Sequence, residues 1–156
     1  MKKKSLIAAL ALMAAASLPA LADEYGKHPF YLHALSDLQA AAWKVEHRRP
    51  EDGLISRDEQ VVVDEIHAAI GDLQRAAWLD GKPLEWREPT DAWLPREGRL
   101  HAAVDLLRKV RSDVAREEDD PRSRPFQQRG LAHVDLALNT AQHAIGDVRH
   151  HDMRME

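Results

Sequence analysis

The chain has 156 residues, with 22 Lys and Arg against 26 Asp and Glu, nine His and no Cys. The formal net charge is −4, and neutralising phosphates needs a clustered basic surface, so a nucleic-acid partner is not expected. The absence of Cys excludes disulfides, a cysteine nucleophile, covalently attached haem and a cysteine-linked lipid anchor.

The first 22 residues have the pattern of a secretory signal peptide. Three lysines follow Met1, LIAALALMAAASLPA is apolar, and ALA at 20–22 is a small-x-small cleavage site before Asp23. We therefore predict export to the periplasm, with secretion from the cell as the alternative. Removal of 1–22 changes the formal net charge from −4 to −7, so an anionic membrane is not an expected partner. No later segment is apolar enough to span a bilayer.

The mature chain, residues 23–156, is long enough to bury a single core. Its apolar residues recur at steps of three and four, and no segment alternates in the manner of a strand. We predict an all-α fold, an antiparallel four-helix bundle in one domain. The predicted helices lie near 29–47, 56–80, 96–117 and 125–150.

Each helix carries an apolar stripe that is expected to face the core. The second helix begins with a capping box, in which Ser56 and Glu59 each accept a hydrogen bond from the other's backbone amide. The connection KPLEWREPTDAWLPREG contains two Trp and is predicted to pack across the bundle. The predicted stripes are Tyr31, Leu35, Leu38, Ala42 and Val45; Val62, Ile66, Ala69, Leu73 and Ala76; Leu100, Ala103, Leu107, Val110 and Val114; and Leu131, Val134, Leu138, Ala141, Ile145 and Val148.

A short motif, Leu-His-Ala-x-x-Asp-Leu, occurs at 32–38 and again at 100–106. The same shift of 68 residues aligns Ile66 with Val134, so that it pairs the second helix with the fourth. We interpret the chain as a duplicated helical hairpin, in which each half covers the apolar face of the other.

The repeated motif also carries candidate metal ligands, because His and Asp four residues apart share one helical face. Imidazole with carboxylate suits zinc, copper or nickel. These positions lie away from the apolar stripes, which favours surface ligands over a dimetal site in the core. The alternative is a solvated surface on which such pairs add a few tenths of a kcal/mol. The predicted metal ligands are His33, Asp37, His101, Asp105, His133, His143, His150 and His151.

The segment HVDLALNTAQHAIGDVRHHD, at 133–152, resembles the repeated His-rich helices of the small periplasmic metal-binding proteins. His133, Val134, Asp135 and His143 match a recurring pattern of the type His-Val-Asp-Glu-Ala-x-x-His-Ala in that family. The resemblance implies an exported helical bundle that binds or sequesters divalent metal ions without enzymatic turnover.

Two functional hypotheses of different class follow. The first is an exported bundle that loosely binds copper, nickel or zinc through surface His and Asp. The second is a periplasmic structural, stress or chaperone-like protein that holds a protein partner in an apolar groove, a hypothesis motivated by Val104, Leu106 and Trp78. The chain contains neither a glycine-rich phosphate loop nor a Gly-x-Ser-x-Gly elbow, and we do not expect an enzyme.

Overall fold

The computed structural model describes residues 30–49, 52–79, 94–116 and 120–154, apart from the side chains of residues 151 and 152. The predicted signal peptide and residues 82–93 of the Trp-containing connection lie outside the described residues. No described helix is long and apolar enough to cross a membrane. The four helices are α1 (Phe30–Glu46), α2 (Arg57–Leu79), α3 (Arg96–Val114) and α4 (Arg124–Asp152).

These helices confirm the all-α four-helix bundle, and each boundary lies within three residues of its predicted position. α1 packs on α2 and α3, and α4 packs on α2 and α3, so that α2 and α3 occupy diagonal corners. Arg99, near the start of α3, donates a hydrogen bond to Lys44 O at the end of α1 over 2.7 Å. Ser123, just before α4, donates to Ala76 O near the end of α2 over 3.4 Å. Neighbouring helices are therefore antiparallel.

One end of the bundle, called the upper end below, is formed by the last turn of α1, the first turns of α2 and α3 and the last turns of α4. Arg149 of α4 contacts Glu97 of α3 there, with Nε 2.6 Å from Oε1. The end of α2 and the start of α3 consequently lie at opposite ends of the bundle.

Contacts between the two halves follow the 68-residue repeat. Asp58 of α2 contacts His143 of α4 at the upper end, with Oδ2 2.7 Å from Nδ1. Their equivalents in the other half, Phe126 and Arg75, contact each other at the opposite end, with the guanidinium carbon 6.0 Å from the ring centroid. Such reciprocal pairs are typical of an isologous interface between two copies. The arrangement supports the interpretation of two duplicated hairpins.

The core confirms the predicted stripes of α1, α2 and α3, because all fifteen of their positions are buried. Three of the six predicted stripe positions of α4 are buried as well, and the other three pack against the edge of the core and are only partly buried. Small residues take their place on the buried face. The buried positions of α4 are Gln127, Gly130, Val134, Ala137, Ala141, Ala144 and Ile145, whereas Leu131, Leu138 and Val148 are partly buried.

Close packing of α4 on α2 explains why small residues occupy the buried face of α4. The fully buried Leu73 side chain of α2 lies over Gly130. A Cβ atom built on Gly130 would stand 2.8 Å from Leu73 Cδ2 and 3.1 Å from Cγ. A face of Gly and Ala allows this approach, which larger residues would block. The sequence pattern placed Leu138 in the stripe because it is hydrophobic. In the structure, the close approach of α2 favours small residues on the buried face of α4.

We expect Gly130→Ala to lower the free energy of unfolding by up to about 2 kcal/mol. Overpacking against the confined Leu73 costs roughly 1–3 kcal/mol, and it outweighs the gain of up to ~1 kcal/mol from better helix propensity. Gly146→Ala is the matched control, because nothing lies within 4 Å of a Cβ there. That change is expected to raise stability by about 0.5–1 kcal/mol. Urea unfolding measures both, and a stabilised Gly130→Ala would contradict the close approach.

The widened stripe of α3 is covered by the bundle itself. Val104 is buried, and Leu106 packs against the core. These two residues therefore provide no open groove for a partner. Trp78, in the last turns of α2, is 70% exposed.

Candidate metal centre

A buried carboxylate organises the upper end. Glu59 is fully buried and accepts hydrogen bonds from Arg96 Nε at 3.0 Å and Nη2 at 2.8 Å. It also accepts from Ser56 N at 2.8 Å, while Ser56 Oγ accepts from Glu59 N at 3.2 Å, which confirms the predicted capping box. Burial raises the pKa of Glu59, but the hydrogen bonds from Arg96 and Ser56 outweigh it and hold the pKa below its ordinary value. This network fixes the first turn of α2 against the first turn of α3.

A buried arginine caps the C-terminal end of α1. Arg99 is 2% exposed and donates through Nη1 to Lys44 O at 2.7 Å and Val45 O at 3.2 Å. Its Nη2 donates to Asp52 Oδ2 at 3.1 Å. The guanidinium thus donates hydrogen bonds to carbonyl oxygens that have no intrahelical donor at the end of the helix. Sequence reasoning missed Arg99, although its place four residues before Ala103, on the buried face of α3, was a signal.

Three ligand-type side chains from α2 and α4 converge beside this network. His143 Nδ1 lies 2.7 Å from Asp58 Oδ2 and 3.5 Å from Asp147 Oδ2. One ligand atom from each of the three lies within 4.8 Å of the others, and no other such group of three occurs within the described residues. Asp58 is partly buried, and the other two are exposed. We call Asp58, His143 and Asp147 the triad.

The triad favours positive charge at its centre. The hydrogen bond to Asp58, reinforced by the negative charges of Asp147 and Asp58, raises the pKa of His143. Two carboxylates therefore stabilise a protonated imidazole between them. A metal dication that replaces this proton would experience the same field and would gain a nitrogen ligand.

Both triad carboxylates lie on the wall of an open cleft of about 790 Å³. The cleft is bounded by the start of α2, the start of α3 and the last turns of α4. Its apolar floor includes Ala144 and Val148. The charged residues that line it are Arg49, Arg57, Arg96, Asp52, Asp58, Glu97 and Asp147.

The repeated His–Asp pairs lie elsewhere on the surface. His33 is exposed, but Asp37 forms an ion pair with Lys109 of α3. Asp105 accepts a hydrogen bond from Arg108 Nη1 at 3.2 Å. Each repeated carboxylate is therefore engaged by a cationic side chain, and neither pair belongs to a three-ligand group. The two-ligand cation sites stay a prediction.

The other predicted histidines have mixed surroundings. His101 Nε2 lies 3.4 Å from Glu97 Oε1 and 3.0 Å from Arg149 Nη2. His133 is partly buried between α2 and α4, with Nδ1 2.6 Å from Glu65 Oε2. Neither ring belongs to a group of three ligand-type side chains within the described residues.

The tail of α4 carries the last two predicted ligands. His150 is exposed and helical, seven residues after His143, which places the two within about 20° on the helix surface. The side chain of His151 lies outside the described residues.

Sequence reasoning missed two members of the triad. Asp147 follows His143 by four residues, which is the same spacing that singled out the repeated pairs, so this signal was present. Asp58 lies in the first turn of α2, between the capping-box residues Ser56 and Glu59. Its contact with α4 depends on how the helices pack, and no local pattern reports that contact.

Comparison of the chain with protein-family models, with curated proteins and with solved structures gives no match in any of the three. The likeness of 133–152 to His-rich helices therefore rests on its sequence alone. The triad and the adjacent cleft remain the basis for a functional assignment.

Proposed function

We propose that the protein binds a divalent transition-metal ion through Asp58, His143 and Asp147. The supporting observation is that their ligand atoms lie within 4.8 Å of one another although they come from two different helices. An imidazole nitrogen with two carboxylate oxygens suits zinc, copper and nickel. Three protein ligands leave a fourth position of a tetrahedral shell open to water or to another ligand.

The binding is exchangeable, and the metal is not a structural staple. The His143 side chain is 69% exposed and that of Asp147 65% exposed, so water reaches the site. The apolar core lies between the four helices and includes no triad residue. Structural zinc sites, by contrast, close all four positions with protein ligands. These features favour reversible binding or sequestration without turnover.

A protein partner is the second candidate function, but one bound by exposed apolar residues instead of a helical groove. Leu54 is 93% exposed in the loop between α1 and α2. Arg48 donates to the carbonyl oxygens of Gly53 at 3.0 Å and Leu54 at 2.8 Å. The loop therefore presents an apolar side chain from a fixed backbone, as an interface anchor requires.

We expect calorimetric titration of the metal-free protein with copper, nickel or zinc to show one site that depends on the triad. His143→Gln and Asp147→Asn are each expected to weaken binding by about tenfold or more, because each removes one of three ligands. His67→Gln is the matched control. His67 is exposed on α2 and contacts Glu46, away from the triad. Equal affinity of the triad variants and the control would contradict the proposed site.

Acid is expected to release the metal, because a proton and the metal compete for the His143 ring. Since Asp58 and Asp147 raise the pKa of His143, release begins above the ordinary histidine value of about 6.5. In the metal-free protein, acid has the opposite effect, because protonation of His143 stabilises the fold. The contact of protonated His143 with Asp58 stabilises the fold below about pH 6.5 and is lost as the pH rises through the raised pKa. Thermal unfolding with and without metal separates the two effects.

A further inference from the structure

We propose that the cleft binds a second, anionic ligand once the metal is in place, so that the protein holds a metal ion together with a small carboxylate or phosphate compound. This inference rests on the proposed metal function and names the class of ligand that completes it. The cleft volume of about 790 Å³ lies within the range of small-molecule sites.

A metal bound at the triad makes the cleft wall more positive. Its three arginines and four carboxylates give a formal charge of −1. A dication at the triad changes this value to +1. The metal-loaded cleft therefore attracts an anion more strongly than the metal-free cleft does.

Two of the wall carboxylates are neutralised from outside the cleft. Glu97 accepts from Arg149 Nε at 2.6 Å, and Asp52 accepts from Arg99 Nη2 at 3.1 Å. Arg57, in contrast, is exposed and forms no ion pair within the part of the chain that the structure describes. Its guanidinium is thus available to an incoming oxyanion, whose geometry it matches with two parallel hydrogen bonds.

The start of α3 adds donors on the same wall. Pro95, the residue before α3, makes no side-chain hydrogen bond to the first turn, and both Pro95 and Arg96 line the cleft. The first backbone amides of a helix have no intrahelical acceptor, so they add positive potential to the cleft. Because Asp58 and Asp147 also lie on this wall, an anion can contact the bound metal and Arg57 together.

The test is a titration of the protein with nickel alone, nickel with succinate, and nickel with inorganic phosphate. Both anions bind free nickel weakly, so they compete little with the protein. We expect saturating anion to raise the affinity for nickel by about fivefold or more, within the usual range of coupling between two sites. By reciprocity, anion binding is expected to depend on nickel. The anion with the larger effect identifies carboxylate or phosphate as the natural chemistry.

Arg57→Gln is expected to abolish this enhancement, so that the affinity for nickel is the same with and without anion. Arg108→Gln, an exposed change on α3 away from the cleft, is the control and is expected to alter neither quantity. Nickel binding that neither anion strengthens would overturn the second ligand but leave the metal site intact. Failure of the protein to bind nickel at all would overturn both proposals. Anion binding of equal strength without nickel would overturn the dependence of anion binding on the metal.

Discussion

Replacing Arg99 with Met is expected to lower the free energy of unfolding by about 3–5 kcal/mol, the usual loss when one partner of a buried ion pair is removed. Methionine fills most of the space but donates no hydrogen bond. The carboxylate of Asp52 would lose its 3.1 Å partner, and Lys44 O and Val45 O would each lose a donor. These acceptors lie where little water reaches them, so their desolvation would no longer be compensated.

Arg108→Met is the matched control for this experiment. Arg108 lies on α3 as well, but its side chain is 58% exposed and its partner Asp105 is 76% exposed. Such surface ion pairs contribute at most about 1 kcal/mol. Urea unfolding with a shared slope gives both values. A loss below about 1 kcal/mol for Arg99→Met would mean that the buried network does not hold the upper end together.

The pH dependence of unfolding gives an independent readout of the same network. Burial raises the pKa of Asp52, but hydrogen bonds from Arg49 and the charge of Arg99 outweigh it and hold the pKa below its ordinary value. A lowered pKa stabilises the fold above the unfolded value of about 3.9 and ceases to do so as the pH falls through the folded value. We expect the Arg99→Met variant to lose less stability than the wild type as the pH falls through this range.

The sequence predicted the helices of this chain but not the contacts at its upper end. The helices and three of the four stripes follow from spacing within one segment, because burial on a single face imposes a period of 3.6 residues. The network at the upper end joins residues that are far apart in sequence, as Arg96 and Glu59 are. No periodic pattern reports such a pair, since its formation depends on how the helices pack.

The internal repeat illustrates the same division. Leu-His-Ala-x-x-Asp-Leu correctly related α1 to α3, because both helices bury equivalent positions, such as Leu35 with Ala103 and Ala42 with Val110. It did not locate the triad. The repeat equivalents of Asp58 and His143 are Phe126 and Arg75, which form a cation–π contact instead of a ligand pair. The triad therefore occurs in one arrangement only, and duplication of the hairpin does not duplicate it. The repetition of His33 and His101 agrees with common origin and requires no shared metal site.

Leu107→Ala is expected to destabilise the bundle by about 2–5 kcal/mol, and Leu138→Ala by roughly half as much or less. The Leu107 side chain is fully buried in the core, whereas Leu138 only packs against its edge. Removing Leu107 therefore leaves an enclosed cavity that the surrounding helices cannot fill without strain. At the edge, neighbouring side chains and water can occupy the space that Leu138 leaves.

The pair of variants distinguishes two descriptions of α4. If the helix buried its largest apolar residues, Leu138 would cost as much as Leu107. Since Leu73 packs over Gly130, the small residues of α4 face α2, and the larger ones lie to the side. Urea unfolding at one temperature measures both losses on the same scale. Equal losses would support the stripe predicted from spacing. A clearly smaller loss for Leu138→Ala would support the description in which Ala137 and Ala141 lie on the face of α4 that packs against α2.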